Sequence, residues 1–399
     1  MQLNLNRFPE LSFIVGSAET VETMQTVRSL RPFDESVLSF FNDLSTLLMK
    51  SGHEYSDVAT FGFWCRKAAL LHEKEKYDDI DVRLGRGVIF HSTPSNVPVN
   101  FAFSFAAGLL AGNANIVRLP ARDFEQAKII CNAVNELLAD AHKDMAAYIC
   151  MVKYPPVQEI SDLFSSICDT RVVWGGDGTI AELRKSPLKP RATEINFADR
   201  HSIAVINADE YLQSEDKDAI ANAFYNDTYF SDQNACTAPR VIVWLGRERD
   251  KAKKIFWQKV HDLAKEKYKL APVQSVGKLT ALCKAAAMVN VRLVQSEDNL
   301  VTRLEVKSLN DNIMDYKYHS GFFFEYDADG LEDILPICGE RCQTLTYFGV
   351  AKEELGQFFA ECRPKGVDRC VPMGKSMDFT LVWDGYDLIR CLSRKITIK

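Results

Sequence analysis

From residue 87 onward, short apolar runs alternate with amphipathic stretches. GVIF (87–90) reads as a strand, and after the polar loop HSTPSNVP an apolar helix runs to Gly112 and Asn113, a good C-terminal stop. NIVRL (115–119) is the next strand, and Asp123 with Gln126 predicts a capping-box start for a helix reaching about Leu138. AAYICMV, VQEISDLFSSI and TRVVWGG then read as strand, helix and strand, with a short helix from Thr179. Upstream the pattern is helical: DVATFGFWCRKAALLHEK predicts one helix capped by Asp57, with Phe61, Trp64, Cys65 and Ala68 on its packed face.

A second alternation starts near His201. SIAVINA reads as a strand, DKDAIANAFYND as a helix with Ile220, Ala223 and Phe224 on one stripe, and VIVWLG as the following strand. A charged helix over 247–269 and a mixed segment to about Ser320 continue the unit. Strands alternating with helices imply mostly parallel sheets covered on both faces, with ligand sites at the carboxyl ends of the strands. The fold class predicted is α/β with two doubly wound domains: a first domain over 1–200 with a helical N-terminal segment, a second over 201–365, and a segment 366–399 that completes the fold or an interface.

Composition narrows the class. With 399 residues, 47% hydrophobic and 26% charged, the chain is long enough for domains with full cores. A formal charge of −6 with scattered Lys and Arg gives no basic field for nucleic acid. Eleven cysteines without framework spacing, and a start lacking signal-peptide design, fit a reducing cytoplasm. Residues 88–117 carry no charged side chain, yet the solidly apolar part, 101–112, is about half the ~20 residues a span requires. A buried helix is expected there, and no membrane span.

Three loops carry candidate chemistry. HSTPSNVP holds Asn96 between two prolines that restrict its backbone, as a fixed oxyanion donor would need. GGDG (175–178) lets backbone approach a flat or anionic ligand. SDQNACTAP presents the thiol of Cys236 in a polar loop between a helix and a strand. Taken singly, each has a plainer reading: a rigid turn, an ordinary glycine turn, a structural cysteine. Their order along a doubly wound chain favours the chemical one.

That order resembles the aldehyde dehydrogenase superfamily and, within it, the acyl-CoA reductase family typified by LuxC. The resemblance runs through GRGVIFHSTPSNVPVNFAFSFAAGLLAGNANIVRLPARD, QNACTAPRVIVW, RCQTLTYFGV and GVDRCVPMGKSMDFTLVWDGYDLI. It implies that Cys236 is the nucleophile and that Asn96, with the Cys236 N–H, forms an oxyanion hole. It places Thr93, Pro94, Ser95, Gly175, Gly176, Gln343 and Thr344 at the cofactor. Where the superfamily carries a lysine near the ribose, this chain has Arg118 with Arg122 nearby; an arginine fork suits a 2′-phosphate, so NADPH is expected, with NADH the alternative. Solvated surface arginines are the competing reading.

The same resemblance implies NADPH-dependent reduction of an acyl thioester to an aldehyde through a Cys236 acyl-enzyme. The donor would be acyl-CoA, an acyl carrier or an acyl-protein synthetase, and the assembly a homo-oligomer with its own oligomerisation elements. The superfamily's water-activating glutamate has no clear counterpart. Glu194 in ATEINFADRHS is the nearest stand-in, at the wrong offset from Ser202. Oxidation of an aldehyde, or a non-catalytic acyl-transfer scaffold, are the alternative functions. Cys338, Cys342, Cys362 and Cys370 lack zinc-site spacing, so no metal is expected. His201 reads as structural, Gly374 and Lys375 have no derivable role, and Asp384 reads as a turn or interface residue.

Overall fold

In the computed structural model, which describes residues 5–94 and 97–399, the chain divides into a unit of Met1–Ala198 with Thr380–Lys399 and a unit of Asp199–Phe379. The residues of the expected third segment are shared: 366–379 lie with the second unit and 380–399 with the first.

The first unit carries strands β1 (Ser12–Val15), β2 (Arg83–Gly85), β3 (Val88–Ser92), β4 (Ala114–Arg118), β5 (Ile149–Lys153), β6 (Thr170–Trp174) and β7 (Thr193–Phe197). Its main sheet has the order β1-β5-β4-β3-β6-β7, parallel except for β1. The chain runs outward from β3 to β5 on one side and returns through β6 and β7 on the other. The crevice where the order reverses therefore opens beyond Ser92 and Trp174. The apolar stretch is the helix Asn100–Leu110, buried along nearly its whole length. Among the described residues, no helix is long and apolar enough to cross a membrane. The strand Ser393–Lys395 pairs with β2, and Asp384 and Gly385 make the tight turn between Val382–Trp383 and Tyr386–Asp387, both with positive φ.

The second unit carries β8 (His201–Asn207), β9 (Pro239–Leu245), β10 (Val291–Val294), β11 (Thr302–Val306), β12 (Phe322–Asp327), β13 (Cys342–Phe348) and β14 (Arg369–Pro372), in the order β10-β11-β12-β9-β8-β13-β14 with only β10 antiparallel. Successive residues alternate between two cores. Ile203, Val205, Val241, Val243 and Leu345 enter one, while Ala204, Ile206, Ile242, Trp244 and Phe323 enter the other. A sheet with both faces apolar must be covered on both, and this is why its strands read as nearly unbroken apolar runs.

Three local expectations fail for identifiable reasons. The helix predicted from Asp57 is two helices, Ser56–Trp64 and Lys67–Lys74, and Asp57 sits in the first turn accepting from Val58 N and Gln126 Nε2. The capping box of Asp123 and Gln126 does not form. Asp123 pairs with Lys153, Gln126 is engaged by Asp57, and the helix is Glu125–Ala139. AAYICMV is half strand: Lys143–Tyr148 is a 3-10 turn and β5 starts at Ile149.

A buried polar chain holds the crevice of the first sheet. Trp174 Nε1–H donates to Ser104 Oγ at 2.9 Å, and Ser104 lies 2.8 Å from His91 Nδ1. With the Ser104 hydroxyl given to Nδ1, His91 Nε2–H faces Asn115 Oδ1 at 3.0 Å. Gly108 allows this contact, because a Cβ there would lie 2.0 Å from Asn115 Oδ1. One neutral tautomer satisfies every partner.

Burial depresses His91 to about 4, against an ordinary value of 6.5, with Asn115 opposing weakly. The unfolded chain takes up the proton first, so stability is full above about pH 6.5 and falls as pH drops toward 4. Between pH 7.5 and pH 5 the His91 contribution to this loss is about 2 kcal/mol at 1.36 kcal/mol per pH unit. Urea unfolding of His91→Asn at the two pH values should show a loss smaller by that amount; equal losses in variant and wild type would remove the assignment.

Candidate active site

The predicted residues fall into two groups, one in each unit. At the carboxyl edge of the first sheet, Thr93 Oγ1 donates to Arg118 O at 2.6 Å, joining the loop after β3 to the end of β4. Pro94 follows on that loop, half-buried. Ser95 and Asn96 lie outside the described residues. The Arg118 guanidinium stacks over Tyr154 at 4.3 Å and donates to Tyr154 O at 3.3 Å. It is therefore held in place at the strand ends, a posture unlike that of a freely solvated arginine. Arg122 is more exposed and lies over Phe124 at 5.3 Å.

Gly175 and Gly176 follow β6. Gly175 N donates to Phe197 O at 3.1 Å, and Trp174 stacks on Phe197 with ring centroids 3.6 Å apart. A Cβ on Gly175 would press on Thr179 at 3.1 Å, while one on Gly176 would meet nothing within 4 Å. The turn is thus closely packed below and open above, as a bound ligand would require. Glu194, the glutamate considered as a base, is in this unit and fully engaged: Arg171 Nε donates to it at 2.8 Å, Arg184 Nε at 2.9 Å and Asn196 Nδ2 at 2.9 Å. These partners outweigh burial and hold its carboxyl below the usual range.

Cys236 belongs to the second group, at the amino edge of the second sheet. The preceding helix ends at Asp227, a 3-10 turn covers Tyr229–Ser231, and Asp232 and Gln233 both adopt left-handed backbone with φ of 53° and 56°. Two such non-glycine residues together cost roughly 1–2 kcal/mol each, so something must hold them. Gln233 does so with a buried carboxamide. Its Nε2 donates to Pro239 O and Phe322 O, and its Oε1 accepts from Gly321 N and Phe322 N, all within 3.0–3.2 Å. The carboxamide stitches the starts of β9 and β12 together.

Other contacts fix the thiol's loop. Ser202 Oγ donates to Cys236 O at 2.7 Å, and Thr237 Oγ1 meets Met377 Sδ at 3.3 Å. Asp227 accepts from Gly374 N at 2.6 Å and Ser376 N at 2.9 Å, and a Cβ on Gly374 would press on Ala223 at 2.8 Å. The GKS segment thus serves by backbone approach. Gln343 and Thr344, expected at the cofactor, are buried on β13 in this unit, where Thr344 is the cross-strand neighbour of Ser202. Cys236 itself is half-buried.

Charge at this edge was not anticipated. Arg240 is almost fully buried, and its guanidinium donates to Tyr318 O and Gln233 O. Burial lowers it to about 10, with Asp199 and Cys236 pulling the other way, so it stays cationic at neutral pH. Asp232 accepts from Tyr268 OH, from Ser320 Oγ at 2.8 Å and from Gln274 Nε2 at 2.8 Å. His319 Nδ1 lies 2.6 Å from Ser320 Oγ and 3.4 Å from Asp232 Oδ2. Although burial opposes it, the bonds from His319, Tyr268 and Ser320 bring the Asp232 carboxyl down to about 2. His201 starts β8 and is buried; burial above all, with the nearby cation of Lys317, depresses it to about 4. The only sequence trace of His319 is a polar HSG preceding the apolar run FFF.

Comparison with known proteins agrees with this architecture. The model of the acyl-CoA reductase (LuxC) family matches residues 67–296. A long-chain acyl-protein thioester reductase of Vibrio harveyi is 25% identical over 212 residues, 47% of this chain and 41% of that protein, so the match spans less than half the length of the relative. Among solved structures, methylmalonate-semialdehyde dehydrogenase of Oceanimonas doudoroffii aligns over 95% of this chain and 89% of its own at a TM-score of 0.65 and 13% identity. Lactaldehyde dehydrogenase of Escherichia coli aligns over 96% and 89% at a TM-score of 0.65 and 10% identity. The fold is that of the aldehyde dehydrogenases, and the chain belongs to the acyl-CoA reductase (LuxC) family.

Proposed function

We propose that this chain reduces an acyl thioester to the aldehyde through an acyl-enzyme on Cys236, with NADPH as reductant. The observation that carries the reading is the contrast between a half-buried thiol on a loop held by buried side chains and a glutamate, Glu194, already committed to two arginines. An acyl-enzyme that must survive until it is reduced is better served without a carboxylate free to activate water. The same contrast disfavours the oxidative direction.

A nicotinamide dinucleotide fits the carboxyl edge of the first sheet. The order reverses there, the Gly176 position is open above, and Arg118 is pre-oriented by Tyr154. Thr93, Pro94, Ser95, Gly175 and Gly176 would line it, with Arg118 and Arg122 toward a 2′-phosphate. When bound, the dinucleotide is the source of the hydride.

The chain's own residues do the rest. The Cys236 thiolate attacks the acyl carbon; the tetrahedral oxyanion takes hydrogen bonds from the Asn96 carboxamide and the Cys236 N–H, and the donor thiol departs. After reduction the hemithioacetal oxyanion collapses, breaking the carbon–sulfur bond to Cys236 and releasing aldehyde. The acyl donor is acyl-CoA, a carrier protein or an acyl-protein synthetase, and the protein works as a cytoplasmic homo-oligomer.

Intact-mass measurement after incubation with a panel of acyl thioesters, without NADPH, tests the reading. Wild type should gain one acyl mass and Cys236→Ala none; acylation of Cys236→Ala would place the nucleophile elsewhere. Asn96→Ala should lower turnover about 10²- to 10³-fold, the scale for one oxyanion donor, and wild-type turnover would end that role. Arg118→Gln should weaken NADPH binding about tenfold, the worth of one charge-assisted contact, and leave NADH binding nearly unchanged in a fluorescence titration. Equal losses for both nucleotides would show that Arg118 does not read the 2′-phosphate.

A further inference from the structure

The corner formed by Asp232, His319 and Ser320 is unused by the mechanism above, and its hydrogen bonds determine where one proton sits. A serine hydroxyl has a single hydrogen, and that of Ser320 is given to Asp232 Oδ1. At 2.6 Å from His319, Ser320 Oγ must therefore accept, so Nδ1 carries the hydrogen. The Asp232 Oδ2 at 3.4 Å from Nδ1 reinforces this choice. The lone pair of neutral His319 is then on Nε2. A carboxylate that fixes one ring nitrogen as a donor leaves the other as a base, the arrangement by which histidines activate nucleophiles.

The corner is part of the thiol's loop. Asp232 is four residues before Cys236, Ser320 N donates to Asp232 O at 3.3 Å, and Gln233 and Arg240 bond both loops. His319 precedes β12 by three residues as Cys236 precedes β9 by three, and β9 and β12 are neighbours. The imidazole stacks on Tyr318 with centroids 4.2 Å apart and is 30% exposed, so it is oriented yet open to reactants. His201, the other histidine at this edge, is shut away from solvent and beside cations that oppose its protonation.

We propose that His319 is the proton-transfer partner of Cys236, with Asp232 and Ser320 as its positioning residues. The proposal rests on the acyl-enzyme reading. His319 Nε2 takes the proton from Cys236 Sγ as sulfur bonds to the acyl carbon. As the carbon–sulfur bond of the donor breaks, the imidazolium returns that proton to the leaving thiolate. The thioester and the enzyme thiol become the acyl-enzyme and the free donor thiol, with no net gain or loss of protons or electrons.

The test is the pH profile of Cys236 alkylation by iodoacetamide in the full-length protein, which needs no acyl donor. The groups facing the corner are Asp232, Tyr268, Asp298, Arg240 and Lys278, whose Nζ donates to Ser320 O at 2.8 Å and which burial lowers to about 7. All are retained in His319→Gln and His319→Ala. Wild type should show an inflection that both variants lose, with alkylation at pH 7 falling about tenfold and acyl transfer about 10²- to 10⁴-fold. Added imidazole should restore part of the acyl transfer to His319→Ala, and Asp232→Asn should give a smaller loss. An unchanged profile, or a loss that imidazole does not relieve, overturns the proposal. Wild type that takes no acyl group from any donor would instead end the acyl-enzyme reading, while the alkylation profile still judged His319.

Discussion

The geometry of the Cys236 loop depends on one buried carboxamide. Parallel strands begin with backbone groups that no neighbouring strand satisfies, and at β9 the first residue is a proline without an N–H. Gln233 fills that gap from its own side chain, saturating both its donors and its oxygen's two acceptor positions at the starts of β9 and β12. At about 1 kcal/mol per bond, these contacts are of the size needed to offset left-handed backbone at Asp232 and Gln233. The strain in turn aims Asp232 at Ser320 and carries the chain on toward Cys236. Loosening Gln233 would release the thiol and the histidine corner together.

Charge placement separates structural carboxylates from those that can act. Glu325 is wholly buried and receives hydrogen bonds from Trp244 and Trp257 at one oxygen and Arg303 at the other, donors that do not titrate near neutrality. Glu194 is held by two arginines. Both carboxylates are fully committed to fixed partners. Asp232 differs because one of its partners, His319, is an imidazole partly open to solvent. Polarisation of that ring is useful in a way that a bond to an indole is not.

The sheets were legible because burial on both faces writes apolar runs of strand length into the chain, and Gly112 and Asn113 did mark the end of the helix Asn100–Leu110. What failed was competition between local and distant partners. Asp123 had a capping partner three residues on, but Lys153 from β5 takes it. The Cys236 loop stood out by polarity beside an apolar strand. The His319 corner did not, since its meaning comes from Asp232, 87 positions earlier in the chain, and no local spacing records a contact of that range. The general expectation of sites at carboxyl strand ends also does not reach Cys236. That rule follows from crossovers, whereas this thiol rides on the loop entering a strand.

A base serving the thiol, as proposed for His319, bears on the direction of the reaction. An imidazole that deprotonates Cys236 could also, once neutral again, deprotonate water and hydrolyse the acyl-enzyme. On the proposed reading, the engagement of Glu194 slows hydrolysis of the acyl-enzyme without forbidding it, and reduction must win by rate. Return of the proton to the leaving thiol makes the first step reversible, so the acyl group can go back to the donor when reductant is scarce. On this reading the histidine ties acyl loss to the donor thiol as well as to water, and the balance between them is set by which occupies the Nε2 side of the ring first.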